Sequence, residues 1–207
     1  MMVINANVNR LVFLFLLAGL PMICSGSAAG RTASTTTFIK SSCYSTRYPA
    51  LCVQSLSSYA SVIQQNNKKQ LAQAALSESL VRAQAVKEFV AKSTKFRGLR
   101  AREYAAIKDC LEQIGDSVDR LGKSVEELKG MHMQLGKSST NQPEFIWHVS
   151  NVQTWVSAAL TDENSCFDGY SSKALNGRLK TSIRVRVLNV AQVTSNALAL
   201  VNHFASS

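Results

Sequence analysis

Residues 107–128 read IKDCLEQIGDSVDRLGKSVEEL, and this stretch decides the fold class. Its apolar residues are separated by alternating steps of four and three positions: Ile107, Leu111, Ile114, Val118, Leu121, Val125 and Leu128. An α-helix has about 3.6 residues per turn, so this spacing places all of them on one side of a helix. A narrow apolar stripe of this kind is typical of helices that pack nearly antiparallel around a shared core.

Three further segments follow the spacing, the first of them more loosely. Their apolar positions are Leu76, Leu80, Ala83, Val86 and Val90 in the first, Phe145, Val149, Val152, Val156 and Ala159 in the second, and Ile183, Val187, Val190, Thr194, Ala197 and Val201 in the third. No segment alternates apolar and polar residues for long enough to predict a strand. Turn-forming residues divide the pattern into helices at about 68–95, 99–130, 143–163 and 179–204. The sequence therefore predicts an all-α fold, an antiparallel four-helix bundle.

The N-terminal segment has the pattern of a secretory signal peptide. Arg10 is followed by the uncharged run LVFLFLLAGL at 11–20 and by small residues at 25–30. The run is shorter than the roughly 20 apolar residues that span a bilayer, although an uncleaved anchor is the alternative. We predict a signal peptide at 1–29, cleaved near Ala29, and a mature domain at 30–207 that is exported and not membrane-bound.

Four of the five cysteines belong to the mature domain, and in an oxidising compartment they indicate two disulfides. Cys43 and Cys52 flank a turn in a shorter helical element at about 35–64, so a bond between them would clip a helical hairpin. Cys110 lies beside the stripe of the second bundle helix, and Cys166 just past the predicted end of the third. Three pairings are possible. We favour Cys43–Cys52 with Cys110–Cys166, because both bonds then join adjacent elements.

Gly115 and Gly122 lie inside the second predicted helix, where glycine costs about 1 kcal/mol relative to alanine. We expect a neighbouring helix to approach closely at these positions and to compensate for that loss.

The charge of the chain is strongly basic, with 23 Lys and Arg against 13 Asp and Glu. One basic cluster lies at the first turn between bundle helices and comprises Lys92, Lys95, Arg97, Arg100 and Arg102. Residues 169–207 contain no acidic residue, but they do contain Lys173, Arg178, Lys180, Arg184 and Arg186. An exported basic protein is suited to an acidic wall polysaccharide such as de-esterified pectin rather than to nucleic acid. The alternative is a solvated surface that maintains solubility.

Acidic residues form a stripe on the second bundle helix. Glu112, Asp116 and Asp119 are spaced i, i+4 and i+7, which places them on one face beside the apolar stripe. From spacing alone this face is either a binding surface or an ordinary solvated surface. The histidines are scattered, and no nucleophile, phosphate-loop or dinucleotide motif occurs. We therefore predict no metal, no cofactor and no enzymatic activity.

Several segments together resemble the plant invertase and pectin methylesterase inhibitor family. They are FIKSSCYSTRYPALCVQSLSSYA at 38–60, CLEQIGDSVDRL at 110–121, QTWVSAALTDENSCFDGY at 153–170 and TSNALALVN at 194–202. The resemblance covers the whole mature chain. It implies a four-helix bundle with an N-terminal disulfide-clipped hairpin, acting as a protein inhibitor of a cell-wall carbohydrate enzyme.

The resemblance also distinguishes two target classes. Invertase-directed members carry Pro-Lys-Phe before the third helix, whereas this chain has Pro143, Glu144 and Phe145. The blocks at 155–161 and 166–169 look more like those of pectin methylesterase inhibitors. The resemblance implies an enzyme-contacting surface made of Glu112, Asp116, Asp119, Thr161, Ser165 and Asp168. We therefore predict a secreted, apoplastic inhibitor that covers the esterase cleft in a 1:1 complex. An invertase inhibitor and a pectin-binding wall module are the alternatives.

Overall fold

The computed structural model describes residues 26–131, 143–170 and 177–206. The predicted signal peptide lies almost wholly outside these ranges, and so do Lys173 and His132. Signal cleavage and the domain boundary at residue 30 therefore remain predictions.

The described residues form six α-helices and one short 3-10 turn, with no strand among them. The helices are α1 (Gly26–Tyr44), α2 (Pro49–Leu56), α3 (Lys68–Ser93), α4 (Ala101–Gly130), α5 (Pro143–Gly169) and α6 (Arg178–Ala205), and the 3-10 turn is Ser57–Tyr59. α4 packs against α3 and α5, and α6 packs against the same two helices, so α3 to α6 form a four-helix bundle. The α1–α2 hairpin lies against α3 and α6. The predicted fold class is confirmed.

Local sequence explains where three of the helices begin. Asn67 caps α3 by accepting a hydrogen bond from the Gln70 backbone N–H at 2.9 Å. The Glu103 carboxylate accepts from the Arg100 backbone N–H at 2.9 Å, which satisfies a donor at the start of α4. Pro49 stands in the first turn of α2, where its missing N–H is not needed.

The third bundle helix is longer than predicted. α5 continues to Gly169 instead of ending near 163, so Cys166 lies inside the helix and not past its end. The buried stripe of α5 runs on through Glu163 and Cys166 with the same steps of four and three. A charged residue at the next stripe position concealed this continuation.

The buried side of α4 also differs from the predicted stripe. Cys110, Ser117 and Ser124 are buried, whereas Leu111 and Val118 are only half-buried. The small side chains of the cysteine and the two serines face the core and allow α5 to approach. At the disulfide, the Cα atoms of Cys110 and Cys166 are 4.4 Å apart. Polar serines at regular spacing thus belong to the packed surface of this helix.

Two disulfides cross-link the described chain. Cys43 is bonded to Cys52 between α1 and α2, and Cys110 is bonded to Cys166 between α4 and α5. This is the pairing that the position of the cysteines favoured.

The expected close approach at the α4 glycines is wrong. Apart from its own helix, a Cβ atom built at Gly122 has no atom of the described residues within 4 Å, and one at Gly115 meets only the Lys87 side chain there, at 3.7 Å. No neighbouring backbone requires a glycine at either position.

Gly122→Ala should therefore raise the free energy of unfolding by about 1 kcal/mol, because alanine restricts the unfolded chain and fits the helix without a clash. Urea denaturation of the oxidised protein measures the change. Gly98→Ala is the control, since Gly98 has φ +83° and alanine there should destabilise the fold. An unchanged or lower stability for Gly122→Ala would contradict the prediction.

Candidate functional site

The six residues predicted to contact a target lie on two helices that pack side by side. All six are exposed. Those on α4 are Glu112, Asp116 and Asp119, and those on α5 are Thr161, Ser165 and Asp168. We call this surface the α4/α5 face.

Side-chain links fix how the two helices align beneath the face. Besides the disulfide, Ser117 Oγ donates to Glu163 Oε1 at 2.7 Å, and Arg120 Nε donates to Asp162 Oδ2 at 2.7 Å. Residue numbers fall on α5 as they rise on α4, so the two helices are antiparallel here. This register brings the acidic stripe of α4 alongside the hydroxyl-bearing surface of α5.

The two hydroxyl groups of the face already use their protons within the helix. Thr161 Oγ1 donates to the Ser157 carbonyl at 3.0 Å, and Ser165 Oγ donates to the Thr161 carbonyl at 2.9 Å. A hydroxyl that donates its only proton still has lone pairs to accept with. The face therefore presents hydrogen-bond acceptors, both carboxylate and hydroxyl, and is suited to a surface rich in donors or cations.

An ion pair that the sequence pattern did not predict, Arg120 with Asp162, lies within this face. Arg120 and Asp162 have side chains that are 39% and 13% exposed. Burial raises the pKa of Asp162, and its hydrogen bond with Arg120 opposes that rise. The Asp116 carboxylate raises the pKa further, which indicates that Asp116 is close to Asp162. Arg120 thus supplies a cation among the carboxylates and holds α5 in place. In the sequence, only its i+4 spacing from Asp116 indicated that Arg120 lies on the acidic side of α4.

A second missed residue is Glu163, which lies beneath the face with no exposed surface. Its Oε1 accepts from Ser117 Oγ and, at 3.0 Å, from Thr194 Oγ1 of α6. Burial raises the pKa of this carboxyl to about 8, and the two hydrogen bonds oppose the rise. The carboxyl is therefore neutral at acidic and neutral pH, where it joins α4, α5 and α6.

The predicted basic cluster is exposed throughout, and two of its members pair with acidic residues three or four positions away. Arg100 Nη2 lies 2.9 Å from Glu103 Oε1. Lys92 is 3.9 Å from Glu88, with both side chains well exposed. Arg178 and Lys180, at the start of α6, lie at the same end of the bundle as Arg97, because all three line one cavity. The structure thus brings together two basic segments that are far apart in sequence.

The Pro143–Phe145 segment forms the first turn of α5. The Phe145 ring packs edge-on against Phe204 of α6, with centroids 5.5 Å apart. Glu144 is exposed and lies 3.8 Å from His148 Nε2. The aromatic residue of this segment therefore contributes to packing, and the segment exposes an acidic side chain.

Neither a metal site nor a membrane span is found in the described ranges. No group of three His, Cys, Asp or Glu residues there is arranged to hold a metal ion. None of the helices described is both long and apolar enough to cross a bilayer.

The fold is a disulfide-clipped helical hairpin packed on a cross-linked four-helix bundle, and this architecture defines the class of protein. The family model described as plant invertase/pectin methylesterase inhibitor matches residues 37–200, and the chain belongs to this family. The members of the family are non-catalytic proteins, so the chain is not an enzyme.

Individual relatives agree with this assignment. Pectinesterase inhibitor 9 of Arabidopsis thaliana is 52% identical over 200 residues and covers 96% of each chain. The 21 kDa protein of Daucus carota is 51% identical over 179 residues, which cover 86% of this chain and 89% of the relative. A crystal structure of a mutant form of a pectin methylesterase inhibitor from Arabidopsis superposes with a TM-score of 0.60 at 19% identity. The superposed region covers 82% of this chain and 96% of the solved chain, and the similarity supports the fold.

Proposed function

We propose that this protein is a secreted inhibitor of pectin methylesterase that acts in the plant cell wall. On this proposal it covers the substrate cleft of the esterase in a 1:1 complex and regulates pectin de-esterification. The acidic α4/α5 face carries the proposal, and the close relative called a pectinesterase inhibitor names the target class. The signal-peptide pattern at 1–29 supports export to the apoplast.

The charge of the face fits such a target. The product of de-esterification is a polyanion, so we expect a cleft that binds pectin to contain cationic and hydrogen-bonding groups. The carboxylates of Glu112, Asp116 and Asp119 would occupy these groups without offering a methyl ester to hydrolyse. Thr161 and Ser165 would accept further hydrogen bonds.

The rigidity of the face supports inhibition by occlusion. Its two helices are joined by the Cys110–Cys166 disulfide and by the Arg120–Asp162 ion pair. A surface that is already ordered loses little conformational entropy on binding, so more of the contact energy appears as affinity.

The combined Glu112→Gln, Asp116→Asn and Asp119→Asn variant should inhibit at least tenfold more weakly, because it removes three charges from the proposed contact. The measurement is a titration of a purified plant pectin methylesterase with the oxidised inhibitor, following methanol release. The stoichiometry of the wild-type titration tests the 1:1 complex in the same experiment.

Glu88→Gln provides the charge-matched control for the single variant Asp116→Asn. Glu88 is exposed on α3, whose contacts within the bundle are with α4 and α6, and it lies off the α4/α5 face. Inhibition that falls equally in both variants would indicate a general charge effect. Full inhibition by the triple variant would remove these residues from the contact.

An invertase target is the alternative within the family. The acidic Glu144 stands where invertase-directed members have a cation, and Phe145 is packed against Phe204. We therefore expect no inhibition of invertase at inhibitor concentrations that saturate the esterase. Assaying both enzymes side by side decides between the targets.

Acidic pectin is a second proposed partner, and the joined basic segments favour it. The predicted basic cluster is Lys92, Lys95, Arg97, Arg100 and Arg102, to which the fold adds Arg178 and Lys180. Retention on de-esterified pectin, without enzyme and over a salt series, tests this partner separately from inhibition.

A further inference from the structure

A cavity of about 280 Å³ opens at one end of the bundle. It lies between the α3–α4 connection and the first turn of α6, and the end of α5 closes one side. Its volume is close to the lower limit of small-molecule sites, about 300 Å³, so it suits a ligand the size of one sugar ring. None of the residues of the α4/α5 face lines it.

One wall of the cavity contains a buried hydroxyl group. Tyr170, which follows α5, lines the cavity and is only 2% exposed. Its hydroxyl has no hydrogen-bond partner among the described residues. Burial, with a smaller contribution from the Asp109 carboxylate, raises the pKa of this hydroxyl, so it stays protonated. A buried hydroxyl normally finds a hydrogen-bond partner, because leaving it unpaired destabilises the folded chain.

The charged groups at the cavity are mostly cationic. Arg97, Arg178 and Lys180 line it, and neither arginine has a carboxylate within ion-pair distance in the described part of the chain. The one acidic lining residue is Glu103. Its carboxylate is bound at 2.9 Å by the Arg100 guanidinium and at 2.9 Å by the Arg100 backbone N–H. A carboxylate ligand would therefore meet three cations at the cavity lining, where Glu103 is already paired with Arg100; the Asp109 carboxylate acts on the Tyr170 hydroxyl but is not itself a lining residue.

The remaining walls are apolar. The apolar lining residues are Phe96 and Leu99 from the α3–α4 connection, Ile107 of α4 and Leu179 of α6. Small-molecule sites commonly combine apolar walls with a few polar groups that orient the ligand. An apolar wall, a hydroxyl donor that is unpaired among the described residues, and arginine guanidinium groups together suit a ring that has one C–H face, hydroxyl groups and a carboxylate.

We propose that this cavity binds one uronate residue of de-esterified pectin. Arg97 and Arg178 hold its carboxylate, Tyr170 donates to a ring oxygen or hydroxyl, and the apolar wall contacts the face of the ring. The inference deepens the second proposed function, pectin binding, and does not depend on inhibition. It assigns a discrete site to what would otherwise be diffuse attraction between a basic surface and a polyanion.

Calorimetric titration of the oxidised protein with trigalacturonate, near pH 5 and at low salt, tests the site. We expect saturable binding that Arg178→Gln and Arg97→Gln each weaken at least fivefold. Arg102→Gln removes the same charge from the basic cluster but not from the cavity lining, so it should weaken binding less than twofold, through the loss of long-range attraction alone. Tyr170→Phe should weaken binding about threefold while keeping or raising thermal stability, since it removes only the unpaired hydroxyl.

Three comparisons complete the test. The methyl-esterified trimer and maltotriose should not bind, because both lack the free carboxylate. A parallel titration with polygalacturonate shows which uronate residues bind. If the number of protein molecules bound follows the number of polysaccharide chains and not the number of uronate residues, the site binds a chain end. Equal losses for Arg178→Gln and Arg102→Gln would overturn the cavity site while leaving pectin binding in place. No binding of either acidic ligand would overturn both, and the inhibition titration would still test the first proposed function.

Discussion

The free energy of unfolding should fall by on the order of 4 kcal/mol as the pH rises from about 4.5 to about 8, and Glu163 should cause most of this fall. Its carboxyl is fully buried and has a pKa of about 8, against an ordinary value of 4.5. Burial raises this pKa because the charged form loses its hydration, and two hydroxyl donors compensate for only part of that loss.

The sign follows from proton binding in the two states. Below pH 4.5 the carboxyl is protonated in both folded and unfolded chains, so the stabilising contribution is fully present. Between pH 4.5 and 8 only the folded chain keeps the proton, and each pH unit lowers stability by about 1.4 kcal/mol. Above pH 8 the charge is buried in the folded chain and the contribution is lost.

Glu163→Gln should remove this slope. The amide that replaces the carboxyl keeps an acceptor for Ser117 and Thr194 and cannot ionise, so at pH 8 the variant should exceed the wild type in stability. Urea denaturation at several pH values between about 4.5 and about 8.5 measures both slopes. Glu88→Gln, at an exposed position, is the control and should keep the wild-type slope. A wild-type stability that stays level or increases over this range would contradict the assignment.

This pH dependence bears on where the protein acts. The neutral form of Glu163 connects α4, α5 and α6 directly beneath the α4/α5 face. An acidic compartment therefore favours the neutral form of Glu163, which joins the three helices beneath the face. The effect is on stability and is separable from any change in the charge of the face itself.

The sequence predicted the helices well where apolar residues mark every turn. α3, α4 and α6 begin and end within two residues of the predicted limits. The end of α5 was missed because Glu163 occupies a buried stripe position, and sequence periodicity treats a glutamate as exposed. For the same reason Ser117 and Ser124 were not predicted to be buried.

The acidic surface was likewise predicted only in part from the sequence. Its members on α4 followed from helical spacing, and those on α5 came only from family resemblance. Arg120 and Asp162, which lie between them, are 42 residues apart in sequence, and periodicity cannot pair residues of different helices. The cavity was missed for the same reason, because its walls come from the α3–α4 connection and from both ends of the α5–α6 connection.

Loss of the Cys110–Cys166 disulfide should be the other large effect. Replacing both cysteines by alanine should lower the free energy of unfolding by about 4 kcal/mol in the chain-entropy model, since the bond closes a loop between residues 56 apart. The Cys43–Cys52 bond closes a loop between residues only 9 apart, and its removal should cost about 3 kcal/mol. Urea denaturation of the two double-alanine variants at pH 5 measures the difference.

Removing the two disulfides should have effects on inhibition that differ more than their effects on the free energy of unfolding. Cys110 and Cys166 join the helices that carry the α4/α5 face, whereas Cys43 and Cys52 join α1 and α2 on the hairpin beside α3 and α6. At a pH and temperature where both variants are folded, we expect Cys110→Ala/Cys166→Ala to inhibit the esterase more weakly and Cys43→Ala/Cys52→Ala to keep near wild-type inhibition. A larger loss of inhibition in the hairpin variant would indicate that the hairpin, and not the α4–α5 pair, forms the contact with the enzyme. The hairpin variant is therefore the sharper control, because it removes a bond of the same kind without touching the proposed surface.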